Sequence, residues 1–115
     1  MGRSTRYYNP FVMHDNSFDV EEAMTVAPKV AKKVMENNFG CYSTKEMGYI
    51  YHHAIAMVTQ HITDALCAKY PEESFHKLCR WSHTYAFGYV RKSVHDRVVA
   101  ERAEKQAKNN LVTAQ

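Results

Sequence analysis

No apolar run in this chain approaches the roughly 20 residues that a helical membrane span needs. Cysteine is sparse. Cys41, Cys67 and Cys79 are an odd number, too few and too scattered for a disulfide scaffold, which points to a reducing compartment. There is no Asn-x-Ser/Thr glycosylation acceptor, and the first residues lack the apolar core of a signal peptide. Together these absences lead us to expect an intracellular, cytoplasmic protein with no membrane partner. Reaction motifs are missing as well. There is no Gly-rich phosphate loop and no His-Glu-x-x-His zinc motif. The dipeptides His14-Asp15 and His95-Asp96 fall short of the helical metal phosphohydrolase set, because no His precedes the first and no Asp follows the second. Enzymatic activity is therefore not expected.

The 115 residues make one domain of common size. Their composition, 45% apolar and 23% charged, allows one modest core and argues against wholesale disorder. The formal charge of +3 permits nucleic-acid binding without demanding it. That surplus sits in one place: residues 72–108 hold eight Lys or Arg against five acids, and the remainder is balanced.

Residues 1–16 read as an N-terminal arm, aperiodic and turned at Asn9-Pro10. Its Tyr7, Tyr8 and Phe11 suit docking on the body or on a partner. A kinked first helix is expected over 17–38. Ser17 or Asp19 would cap it, Pro28 would kink or break it, and Asn37, Asn38 and Gly40 would stop it. A core helix is expected over 43–70, opened by a Ser43/Glu46 capping box and lined by Met47, Tyr51, Ala54, Val58, Ile62 and Ala65. A long basic helix over 71–108 packs back antiparallel through Phe75, Leu78, Ser82, Tyr85, Ala86 and Tyr89, followed by a tail at 109–115. It should overhang the body, with Ala100, Ala103 and Ala107 as its thinning apolar side. Gly88 is expected opposite Ala54, at a close helix approach. The fold class is thus all-α: a three-helix bundle whose second and third helices form a long antiparallel hairpin.

Two constellations stand out. His76, Cys79 and His83 have H-x2-C-x3-H spacing and share one helix face. Across the hairpin His61 and Asp64 would complete a zinc site if four ligands converged. Polar histidines at helix margins, with the cysteines acting as small apolar fillers, are the plainer reading. The second constellation is a basic stripe. At 100° per residue Lys77, Arg80, Arg91, His95, Arg102 and Lys105 fall within an arc of about 80° whose one acid is Glu73, in the first turn. Phe87 lies within this arc and Trp81 borders it. Such a face suits an acidic protein surface anchored by Trp81, or a row of phosphates with Trp81 or Phe87 stacking on a base; it also suits plain solvation.

The expected function is non-catalytic: a small helical protein that binds a protein partner and regulates or inhibits it, with self-association through the overhang. Motif-free helical chains of this size are typical of accessory proteins of phages and mobile elements. The alternatives are nucleic-acid binding through the basic face and metal binding at the His/Cys cluster.

Overall fold

The computed structural model describes residues 18–113, with side chains described as far as Asn110. The arm residues Tyr7, Tyr8 and Phe11 and the candidate cap Ser17 lie outside this range. All regular structure in it is α-helical: α1 (Val20–Phe39), α2 (Thr44–Tyr49), α3 (Tyr51–Lys69) and α4 (Phe75–Thr113). None of these helices is long and apolar enough to cross a membrane.

α1 begins where Asp19, in extended conformation, turns its carboxylate onto the amides of Glu21 and Glu22 at 3.0 and 3.4 Å. That satisfies two of the orphan donors of the first turn. The helix then continues through Pro28 without a break. Ala23, Ala27 and Ala31 are fully buried on both sides of the proline. A packed face spanning the defect offsets the lost backbone bond, which local propensity alone could not do. At the C-terminal end, a Cβ on Gly40 would lie 2.8 Å from the Glu36 carbonyl oxygen, so the turn out of α1 requires glycine.

The expected core helix is instead two helices. Ser43 and Glu46 form the capping box, Ser43 Oγ accepting from the Glu46 amide at 3.1 Å and Glu46 Oε1 from the Ser43 amide at 2.8 Å. The six-residue α2 ends at Ile50, whose φ of −109° and ψ of 18° leave the helical region. Ile50 ends one helix with its own N–H to the Glu46 carbonyl and starts the next with its carbonyl to the Ala54 amide. The described chain therefore has four helices rather than three, and the break falls at Ile50 rather than at Pro28.

α3 and α4 form the antiparallel hairpin. The corner is a turn over 70–74, with the Glu73 amide donating to the Tyr70 carbonyl and Ser74 Oγ accepting from the Lys77 amide. α4 thus starts at Phe75 rather than at Pro71, and it runs on to Thr113. The two helices meet along Ala54, Val58, Ile62 and Leu66 of α3 and Leu78, Ser82, Ala86 and Val90 of α4, all fully buried. α1 lies along one flank of this seam. Phe18, just before α1, packs edge-on against Tyr70 and Trp81 at 5.5 and 5.8 Å. Tyr85 and Tyr89 continue that flank, stacked at 5.7 and 6.0 Å behind Trp81.

Toward its C-terminal end α4 is linked to other described elements by Arg97 to the Tyr42 carbonyl and Glu101 to Thr44. Every residue from Val99 to Asn110 is exposed, including Ala100, Ala103 and Ala107. At 1.5 Å per residue, the dozen residues from Arg102 to Thr113 project about 18 Å past these links.

Ser82 Oγ is buried at the centre of the seam without a hydrogen-bond partner. An unsatisfied hydroxyl in an apolar setting is destabilising. Ser82→Ala is therefore expected to raise stability by about 1 kcal/mol, whereas Leu78→Ala one turn away should lower it by about 3 kcal/mol. Urea unfolding of both variants measures the contrast.

Candidate docking groove and basic helix face

Around α4 the residues Trp81, Tyr85 and Tyr89 form one i+4 ladder, and Phe75, Cys79, His83 and Phe87 form another. At 100° per residue the two ladders point about 140° apart, with the buried seam between them. The first ladder is half-buried on the α1 side. The second walls a groove of about 530 Å³ on the opposite flank of the hairpin. The facing wall comes from α3. The buried Ile55, Thr59 and Thr63 form its floor, and the exposed His52, Ala56, Gln60 and Asp64 its rim.

The floor is less polar than its residue names suggest. Thr59 Oγ1 donates to the Ile55 carbonyl and Thr63 Oγ1 to the Thr59 carbonyl, each at 2.7 Å. Both hydroxyls are spent on their own helix and make no demand on an occupant. Phe75 and Phe87 flank the groove at its two ends with 64% and 42% of their surface exposed. Phe75 therefore does not join the inner face of α4, as its spacing had suggested. The groove spans residues 52–64 on α3 and 75–87 on α4, about 18 Å on each wall.

The stripe residues are divided by the fold. Arg80, Arg91, His95, Arg102 and Lys105 are exposed. Lys77 is half-buried, paired with Glu73 at 3.3 Å and seated 5.9 Å from the Phe18 ring centroid. Trp81 is not the exposed anchor its position on the wheel implied, because Phe18 and Tyr85 cover it. Phe87 is the aromatic residue that remains open to solvent within the stripe. Gly88 is exposed, and a Cβ built on it would meet nothing within 4 Å. It therefore makes no close approach to Ala54, which is buried on the opposite side of the seam.

The proposed metal ligands do not assemble. Cys79, His83 and Asp64 line the groove, while His76 lines an adjoining hollow with Cys79, Arg80 and His83. His61 is exposed and lines neither. Among the described residues no three His, Cys, Asp or Glu side chains come close enough together to hold a metal ion. Cys67 lies behind this wall. Burial first, then the charges of Asp64 and Cys79, push its thiol above the usual range, which makes it a poor nucleophile.

His52, Ala56, Gln60 and the two threonines escaped attention in the sequence because they form a second stripe beside the α3 core stripe. The unbroken apolar run 54–58 was the available signal, since it leaves both flanks of α3 apolar at once.

The flank covered by α1 has a pH signature. Burial raises the pKa of Tyr70, Tyr85 and Tyr89; at Tyr70 the hydrogen bond to Glu22 adds to it. The same bond, then Lys69 at 3.1 Å, lowers that of Glu22. A raised folded-state pKa gives stability that is complete below the unfolded value and is lost as pH rises through the folded one. Stability should therefore fall as pH rises beyond about 10. Tyr70→Phe should flatten that fall, read from urea midpoints across the alkaline range.

No protein-family model matches this chain, and neither a curated protein nor a solved structure matches it.

Proposed function

We propose that this is a non-catalytic, protein-binding regulator that captures a helical segment of its partner in the groove between α3 and α4. One observation carries the reading. α1 covers one flank of the hairpin, while the opposite flank is an open apolar groove about three helical turns long. That vacancy has the form of a missing bundle helix, and helix-in-groove capture is a common mode of peptide recognition.

Charge selects the occupant. The α4 side of the groove adjoins Arg80, His76 and His83. The α3 rim contributes Asp64, His52 and Gln60. A fitting partner segment is an amphipathic helix with aliphatic residues on one face and acids on the flank that meets α4. Phe75 and Phe87 close on its two ends as aromatic anchors, the role that the sequence suggested for Trp81. Inhibition follows where the captured segment is one the partner needs for its own assembly.

Placing a photo-reactive benzophenone side chain at Ala56, with Lys45 as the control position, tests this in cells. The supporting result is an adduct specific to position 56 whose cross-linked peptide is an acidic amphipathic helix. Adducts equal at both positions, or none, would refute the groove. Against the peptide so identified, Ala56→Arg is expected to weaken binding by at least about tenfold, about 1.4 kcal/mol. The melting temperature should barely move, because Ala56 is exposed.

A further inference from the structure

Gly88 has no internal explanation. It lies near the middle of the first two-thirds of α4, its φ is not positive, and no side chain or backbone approaches the place its Cβ would occupy. A glycine in a helix interior costs up to about 1 kcal/mol relative to alanine. Nothing in the described fold offsets that cost.

What surrounds Gly88 is cationic. Arg91, Lys92 and His95 follow it at i+3, i+4 and i+7 and line a shallow hollow with it, of about 350 Å³. Lys92 is engaged by Asp96 at 2.8 Å. Arg91 has no hydrogen bond or ion pair to another described residue and is open to solvent. Further along the same face Arg80, Arg102 and Lys105 are exposed as well. From Arg80 to Lys105 the row covers about 38 Å of helix. In the stretch between Arg80 and Arg91, Thr84 and Gly88 leave the face low. The Thr84 hydroxyl is turned back onto the Arg80 carbonyl at 3.1 Å.

We propose that this face binds the phosphate backbone of a nucleic acid, with Gly88 as the point of closest approach. A straight row of permanent cations matches a polyanion that carries one charge per roughly 1.7 Å of duplex. A compact acidic protein surface offers no such linear array. Removing one Cβ at the centre of the row lets a sugar-phosphate segment settle against the helix, where Arg91 and His95 reach around it. Phe87, beside the notch, is placed to stack on an unpaired base. Readout is by phosphate, so the surface is indifferent to sequence. Phe87 and Arg80 border both this face and the groove, whereas Gly88, Arg91 and His95 line this hollow and not the groove, so Gly88→Ala and Arg91→Gln test this face without altering a groove residue.

The test is anisotropy titration of the full chain against labelled duplex DNA and single-stranded RNA at about 50 and about 200 mM salt. Inorganic phosphate serves as competitor, to separate a lone-anion site from a backbone-tracking one. Four permanent cations (Arg80, Arg91, Arg102 and Lys105) give an expected log–log salt slope of about −3.6 on duplex. Gly88→Ala should raise the melting temperature and yet weaken duplex binding about fivefold or more at an unchanged slope, because no charge is altered. Arg91→Gln should flatten the slope by about 0.9. A Gly88→Ala variant that is more stable and binds equally well would overturn the notch. Absence of duplex and single-strand binding at the lower salt, or full displacement by millimolar inorganic phosphate, would overturn the backbone reading.

Discussion

The contact on which the rest of the molecule depends is the seam between α3 and α4. Ala54, Val58, Ile62 and Leu66 meet Leu78, Ser82, Ala86 and Val90 there with no solvent exposure on either side. Ser82 and Ala86 place two small side chains at the centre of the α4 half. The seam buries one stripe of each helix and leaves the flanking stripes to be covered by something else. It also fixes the rotation of α4. With Ser82 and Ala86 pointing inward, the arc holding Arg80, Arg91, Arg102 and Lys105 must face water. The cationic face is thus a consequence of core packing as much as of its own sequence.

The two flanks of the seam are treated unequally. On one, α1 lays down Ala23, Ala27, Ala31, Val34 and Met35, and Phe18 closes the end over Trp81 and Tyr70. This packing carries α1 straight through Pro28. On the other flank no element of the described chain takes the corresponding place. The two threonines there have turned their hydroxyls inward, leaving methyl groups in a trough between exposed phenylalanines. Apolar surface of this kind, bordered by polar and charged side chains, is the usual form of a helix-binding site. The same asymmetry separates the roles proposed for the molecule, an apolar trough for a protein helix and a polar row for phosphates.

Much of the architecture could be read from local signals with a direct physical meaning. The carboxylate of Asp19, the reciprocal Ser43/Glu46 pair, the hairpin at Pro71 and the core positions of α3 depend on neighbours three or four residues away, and a sequence displays those. What could not be read depended on coverage by distant residues. A helical wheel places Trp81 beside the basic arc, but Phe18, three helices earlier in the chain, decides that it is covered. The wheel likewise assigns Phe75 to the inner face, although α3 reaches its corner before it can cover that ring. The break at Ile50 follows Gly48 by two residues, and the low helix propensity of that glycine was the signal available in the sequence. Gly88 suggested a close helix contact, yet its angle of 120° from Ser82 on the wheel already set it away from the seam.

The central claim is that packing along the seam, not the intrinsic propensity of one long helix, holds α4 in place. Native-state hydrogen exchange along α4 tests it most directly. Amides from Leu78 to Val94 should exchange only through global unfolding, because their carbonyl partners sit over the buried seam. Protection should then drop by orders of magnitude beyond Glu101, past the hydrogen bond to Thr44 of α2, because a short helix without a packed face is marginal. Uniform protection from Phe75 to Asn110 would contradict the claim, since packing along the seam would then not be what distinguishes the two parts of α4.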